Sequence, residues 1–284
     1  MRKLVNSRVT VVGLGLMGGS LAGALRGRCR TVVGVTRRAE TVEAALAHAL
    51  VDQGTTDLAD GVREADVVVL ATPVRTILRL LAEIGPLLPE GCLLMDVGST
   101  KMQIVAQMAA LPDHVQPLGG HPMCGKEVAG IAAADPALYR GQTFVLTPLS
   151  RTSKAALALA CALVEAVGAR PLLLEAGRHD RLVAATSHLS YLLACALVGV
   201  VDQVAPADPA VWRVAAGGFR DTSRLAASDV TMVLDILLTN REGVVEALRA
   251  GEAQLRNLAH LVESGDEEGL RTVLTAIRER RMKM

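Results

Sequence analysis

Continuous apolar runs and helical stretches alternate through the first part of the chain, and the runs then stop. The first run, Arg8 to Val12, is short, Val-rich and ends at Gly13. Gly13-Leu14-Gly15-Leu16-Met17-Gly18-Gly19 follows, then helix-compatible sequence to about Leu25, then a second run from Thr31 to Val35. Strand, glycine-rich turn, helix and strand in that order open a doubly wound α/β domain. Asp66 to Ala71 and Cys92 to Val97 are continuous rather than alternating, which predicts parallel strands buried on both faces. Thr143 to Leu146 predicts a last strand, and Leu172 to Leu174 a further one. Past residue 177 the pattern becomes helical, over His179 to Val204, Asp229 to Ala250, Glu252 to Glu263 and a final helix. Pro206 and Pro209 end the first of these. The prediction is an α/β fold: a Rossmann-type dinucleotide-binding domain over 1–170, then an all-helical domain over 171–284. The longest apolar stretch, Leu189 to Val201, is shorter than the roughly 20 residues of a membrane span and predicts a buried helix.

Composition narrows the partners. The 284 residues include 30 basic and 29 acidic ones, so no charge excess draws the chain to nucleic acid or an anionic membrane. Aromatics at 2% leave little for a base-stacking surface. Cys29, Cys92, Cys124, Cys161 and Cys195 lack CxxC spacing and read as reduced thiols of a cytoplasmic protein, with no metal expected. The N-terminus runs into the first strand, leaving no room for a signal peptide.

Gly13, Gly15 and Gly18 match GxGxxG in its required context, after a strand and at the start of a helix. The first glycine permits the turn, the second admits a pyrophosphate to the backbone, and the third packs helix on strand. Leu16 and Met17 within the turn, and Thr72 and Pro73 after a later strand, complete the expected cofactor contacts. NAD enzymes commonly carry an acidic residue at the end of the second strand. Here Thr36-Arg37-Arg38 stands instead, and two guanidinium groups suit the 2′-phosphate of NADP. The plainer reading is a pair of surface charges ahead of a helix.

Three further segments carry chemistry. Gly119-Gly120-His121-Pro122-Met123-Cys124-Gly125 places a histidine in what reads as a rigid loop, where imidazole can accept a hydroxyl proton. Asp96-Val97-Gly98-Ser99-Thr100-Lys101 leads from a strand into a helix, so Ser99 is either a partner on the same hydroxyl or a helix N-cap. Gly217-Gly218-Phe219-Arg220-Asp221-Thr222-Ser223-Arg224 combines flexible glycines with two arginines that suit a carboxylate, or are solvated charges beside a turn. Of His179 and His188, on the helix opening the second domain, His188 is the candidate site residue, with a structural role the alternative.

Taken together, GLGLMGGSLA (13–22), DVGSTK (96–101), GGHPMCG (119–125), SHL (187–189) and GGFRDTSRLA (217–226) resemble the prephenate/arogenate dehydrogenases of tyrosine biosynthesis. The resemblance implies a helical dimerisation domain, a homodimer and oxidative decarboxylation of a small ring substrate. It implies that His121 is the catalytic histidine on the ring hydroxyl and Ser99 its partner. It gives Arg224, with Arg220 beside it, the ring carboxylate. Gly217, Glu127, His188 and Tyr191 fall at substrate-site positions. The chain departs from the family where SHL continues with Ser190-Tyr191 instead of Pro-His, where Cys124 replaces alanine, and where Val233 replaces a tryptophan. Thr36-Arg37-Arg38, GFRDTSR and the absence of a fused mutase or regulatory domain resemble the NADP-linked arogenate dehydrogenases. The alternatives are a prephenate or dual-substrate cyclohexadienyl dehydrogenase, a β-hydroxyacid dehydrogenase, and a non-enzymatic NADP-binding regulatory protein.

Overall fold

The computed structural model describes residues 3–126 and 128–283. Its centre is an eight-stranded sheet in the order β3-β2-β1-β4-β5-β6-β7-β8. The strands are β1 (Arg8–Val12), β2 (Thr31–Val35), β3 (Gln53–Thr55), β4 (Val67–Leu70), β5 (Leu93–Asp96), β6 (Gln116–Pro122), β7 (Thr143–Pro148) and β8 (Arg170–Leu173). Pairing is parallel from β3 through β6, antiparallel between β6 and β7, and parallel again to β8. Helices α1 (Leu16–Leu25), α2 (Ala39–Ala47), α3 (Leu58–Val62), α4 (Val74–Ile84), α5 (Met102–Ala109) and α6 (Lys154–Ala166) connect the strands.

The apolar runs are continuous because each strand feeds two cores. Val9, Val11, Val67, Val69, Leu93 and Met95 face one layer, with Leu21 and Leu25 of α1 and Leu159 and Leu163 of α6. Val12, Val68, Leu70 and Leu94 face the other, with Ile77, Leu81 and Ile84 of α4 and Ile104 and Met108 of α5. Burial on both faces removes the alternation a half-buried strand would show.

Two segments not expected as strand are strand. β3, short and polar in sequence, lies in a stretch read as helical. More important, the Gly119–Pro122 segment lies inside β6, where Gly119 pairs with Thr147 and His121 with Val145. Glycines disfavour strands, yet here they are needed for close approach: a Cβ on Gly119 would overlap the Thr147 hydroxyl, and one on Gly120 would meet the Asp96 carbonyl. His121 is therefore a strand-end histidine, not a loop one.

The second half is helical. Helix α7 (Ala176–Val183), a π-helical turn (Ala184–His188) and α8 (Leu189–Val204) form one continuous helix of 29 residues. It is long and apolar enough to cross a membrane by length and composition, but α7 packs on α5 of the sheet domain through buried polar contacts. The expectation that α8 is buried does not hold within one chain, because Ala194 is its one fully buried residue among those described. An apolar run shows that a face must be covered, not by what.

Helices α9 (Gly217–Ser223), α10 (Val230–Thr239), α11 (Arg241–Glu263) and α12 (Glu267–Met282) follow. The expected break at Gly251 is absent; that glycine packs against Leu189 inside α11. The break falls at Asn240, whose side chain donates to the Asp180 carbonyl at 2.8 Å. The glycines of Gly217-Gly218 are the first turn of α9 rather than a flexible turn.

Candidate active site

The strand order reverses direction between β1 and β4, which opens a crevice at the carboxyl ends of the strands. Gly13 turns out of β1 with φ +99°, and its N–H donates to the Val35 carbonyl at 2.8 Å. A Cβ on Gly18 would overlap the Gly13 carbonyl, so α1 sits directly on the turn. Nothing occupies the space beside Gly15, the N-cap of α1. The helix begins with no side-chain cap and no acidic residue in its first turn, which leaves the N–H groups at Leu16, Met17 and Gly18 for an anion. Thr72 Oγ1 is buried without a partner among the described residues. Its methyl group would touch a Cβ on Gly13, which puts it against the turn, and Pro73 follows as N-cap of α4. Open amides beside an orphaned hydroxyl fit a dinucleotide pyrophosphate. At the end of β2, Thr36 N–H donates to the Thr55 carbonyl at 3.3 Å, and Arg37 and Arg38 are exposed.

The next site element is built around one carboxylate. Asp96, fully buried at the end of β5, accepts from Gly98 N–H at 2.8 Å and Gly120 N–H at 3.0 Å, and from the buried Lys101 ammonium. It thereby ties the residue before Ser99 to the residue before His121. Burial pushes the Asp96 carboxyl up and the Lys101 ammonium down, and each charge counters the shift of the other. Three donors on one carboxylate favour its ionised form. Ser99 is half-buried and caps no helix: the N-cap of α5 is Lys101, which makes no side-chain cap bond. Thr147 Oγ1, beside Gly119, is buried and unpartnered among the described residues.

The helical domain supplies the α5 cap from outside. Asp180 accepts Lys101 N–H at 2.7 Å on Oδ1 and Met102 N–H at 2.9 Å on Oδ2. Thr100 bonds Thr239 at 2.8 Å, and Asp235 accepts Arg75 N–H at the start of α4 at 3.0 Å. These contacts lock α7 and α10 against the mouth of the sheet. His179, fully buried, has Nδ1 2.8 Å from Asp180 Oδ1 and Nε2 2.9 Å from His121 Nδ1. Burial, then the Lys101 charge and the neighbouring His179 and His188, hold His121 well below the usual imidazole range. It is therefore uncharged at neutral pH. His188 is 4% exposed and faces the Asn240 amide at 3.3 Å; burial pushes it down to about 4.

The structure thus gathers His121, Ser99, His179 and His188 at the carboxyl ends of β5 and β6, in the same parallel part of the sheet whose β1 end carries the glycine turn. Gly217 and Arg220 in α9 and Arg224 just after it lie on the exposed face of the helical domain, packed on α8. Tyr191 is half-buried on α8, and Glu127 lies outside the described residues. Sequence reasoning passed over His179, Asp180, Asp96 and Lys101 as working parts. The available signal was local: a charged Arg178-His179-Asp180-Arg181 cluster opening an otherwise apolar helix, and two charges bracketing Ser99 at a buried strand end.

Comparison with known proteins fits this arrangement. Residues 21–173 match the family model described as prephenate dehydrogenase, nucleotide-binding domain, and residues 175–276 the one described as prephenate dehydrogenase, dimerization domain. Cyclohexadienyl dehydrogenase of Zymomonas mobilis is 34% identical, over 94% of this chain and 92% of its own. Prephenate dehydrogenase of Aquifex aeolicus, solved with hydroxyphenyl propionate and NAD+, superposes with a TM-score of 0.91 at 31% identity, over 99% of both chains. Synechocystis arogenate dehydrogenase does so with a TM-score of 0.85 at 31% identity, over 97% of this chain and 99% of its own. With its nucleotide-binding sheet, its helical domain and the paired glycine and histidine segments between them, the chain belongs to the prephenate dehydrogenase family.

Proposed function

We propose that the protein is an NADP-dependent arogenate dehydrogenase of tyrosine biosynthesis. The observation that carries this reading is the half-buried, uncharged His121 at the end of β6, tied through Asp96 to the Ser99 turn. Gly13, Gly15, Leu16, Met17, Gly18, Thr72 and Pro73 hold the dinucleotide, and Thr36, Arg37 and Arg38 take its 2′-phosphate. When bound, the nicotinamide supplies the hydride acceptor. His121 accepts the proton of the ring hydroxyl, and Ser99 hydrogen-bonds the same oxygen. The ring carboxylate, which leaves as carbon dioxide, is assigned to Arg224 and Arg220 by the resemblance; a single chain leaves both on the exposed face of the helical domain, away from the His121 cluster. The electron pair of the broken C–C bond completes the aromatic ring as the hydride departs, and His121 returns its proton to the phenolate oxygen so formed. Gly217, His188 and Tyr191 are the further substrate-site residues of this reading, and Glu127, also assigned there by the resemblance, lies outside the described residues. The reading favours arogenate over prephenate on the likeness of Thr36-Arg37-Arg38 and GFRDTSR to the NADP-linked arogenate dehydrogenases.

The same reading divides the chain near residue 170 into a nucleotide-binding and a helical domain, places it in the cytoplasm and makes it a homodimer. Apolar faces support the dimer: Val230, Leu234 and Leu238 recur at one helical spacing along α10, all exposed. The direct test is initial-rate kinetics with arogenate, prephenate and 3-hydroxy acids, each with NADP and NAD. Arogenate with NADP is expected to give a kcat/KM at least about tenfold above the other pairs. A prephenate preference, or equal use of both rings, replaces the reading with a prephenate or cyclohexadienyl dehydrogenase. Turnover of none would leave an NADP-binding regulatory protein.

A further inference from the structure

We propose that His179, backed by Asp180, is a positioning residue for His121: it fixes the tautomer that leaves His121 Nε2 free to accept the substrate proton, and it relays that proton's charge toward a carboxylate. The proposal rests on the functional reading above for the identity of the proton, but its geometry does not.

The argument starts at Asp180. A carboxylate only accepts, and this one already takes the N–H groups of Lys101 and Met102 at the start of α5, where the helix dipole favours an anion. The His179 nitrogen facing it, Nδ1 at 2.8 Å, therefore carries a hydrogen. With that hydrogen on Nδ1, the lone pair of the His179 ring lies on Nε2, 2.9 Å from His121 Nδ1. The shared hydrogen belongs to His121 Nδ1, and the His121 lone pair belongs to Nε2. One carboxylate on α7 thus sets the proton inventory of a histidine on β6.

The charge balance around His121 gives the relay its purpose. The groups facing it are the Lys101 ammonium, His179 and His188; the ammonium opposes an imidazolium there, and so would a proton on either histidine. The Asp96 carboxylate, on the neighbouring strand end, is engaged by Lys101. Asp180 is left to balance a proton taken up by the histidines. When the substrate hydroxyl proton bonds to His121 Nε2, the Nδ1–H bond of His121 can break as an N–H bond forms at His179 Nε2. His121 ends neutral, and the positive charge ends on His179 against Asp180. No electron changes hands. Nothing but the hydrogen bonds already present is needed.

Nitrogen-15 imidazole spectra of the whole enzyme, with His179→Leu and His179→Gln, test this. In the wild type His121 is expected as the Nδ1–H tautomer near pH 7.5. In His179→Gln the side-chain amide can still accept from His121 Nδ1 but cannot take the proton, so the tautomer is expected to persist. Its kcat should then fall about tenfold and the acid limb of its pH profile move to lower pH. Leucine removes the acceptor, so His121 should shift toward the Nε2–H tautomer and kcat fall about 100-fold, with dinucleotide affinity retained. An Nε2–H tautomer in the wild type overturns the proposal. So does a kcat within threefold of wild type in His179→Leu, whatever its tautomer. If His179→Leu does not fold, His179→Gln decides: an unmoved acid limb with unchanged kcat is equally fatal. Should none of the ring substrates turn over, the functional reading fails separately, while the spectra still decide the tautomer.

Discussion

At the scale of single residues, charge placement bears on both the proposed cofactor and the proposed chemistry. Arg37 and Arg38 stand exposed at the end of β2, with no carboxylate at the position where one would accept from ribose hydroxyls. A charge-assisted fork to a phosphate contributes about 1.5–3 kcal/mol. Arg37→Ala is therefore expected to raise the ratio of KM for NADP to KM for NAD about 10- to 100-fold. A ratio that does not move removes Arg37 from cofactor choice. The glycines were readable as chemistry from sequence because their spacing is local. The purpose of Gly119 and Gly120 was not: their missing Cβ atoms make room for Thr147 and Asp96, which arrive from other strands. Ser99 shows the same limit. Its position before a helix is compatible with an N-cap, and only the arrival of Asp180 at that helix start removes the capping role.

At the scale of elements, the junction of α7 and α8 is an irregular helical turn. The π-helical turn inserts an extra residue where the helix passes the site, a feature frequent at functional positions. His188 ends that turn, buried and neutral, pushed down to about 4 from an ordinary 6.5. A histidine whose folded pKa lies below its unfolded one leaves stability intact above pH 6.5. Stability then falls as pH drops toward 4, because the unfolded chain binds the proton first. The loss amounts to about 3 kcal/mol at one proton per 1.36 kcal/mol per unit. His188→Gln is expected to be less stable at pH 7 yet to lose about 3 kcal/mol less between pH 7 and pH 4 in denaturant titrations. Parallel slopes for variant and wild type would assign the pH dependence elsewhere. The helix breaks follow the same lesson. Gly251 looked like a terminator and packs against Leu189, whereas Asn240 ends α10 because its side chain is drawn to Asp180.

At the scale of the whole molecule, the helical half leaves more apolar surface open than a lone chain would bury well. Leu234 and Leu238 on α10 are about half exposed, as are Val200 and Val204 on α8. Contiguous patches of this kind mark an interface. Leu234→Lys combined with Leu238→Lys is expected to weaken self-association at least about 100-fold, since each buried charge costs several kcal/mol. Sedimentation velocity reads the outcome, and an unchanged dimer would exclude α10 from the contact. The same half closes on the sheet through polar contacts: Asp180 on α5, Asp235 on α4, Thr239 on Thr100. Polar seams of this size suit a domain interface that carries a site.

Local pattern determined much of this protein. Two-sided burial makes strands of β1, β2, β4 and β5 legible as unbroken apolar runs, and the glycine turn between β1 and α1 is set by residues within six positions of each other. Tertiary structure alone decided what His121 touches. Its partner lies 58 residues away on a helix of the other half, and the carboxylate steadying its strand belongs to a third segment. Periodicity reports which face of an element avoids water. It carries no information about which distant donor meets which acceptor, because that depends on how whole elements pack.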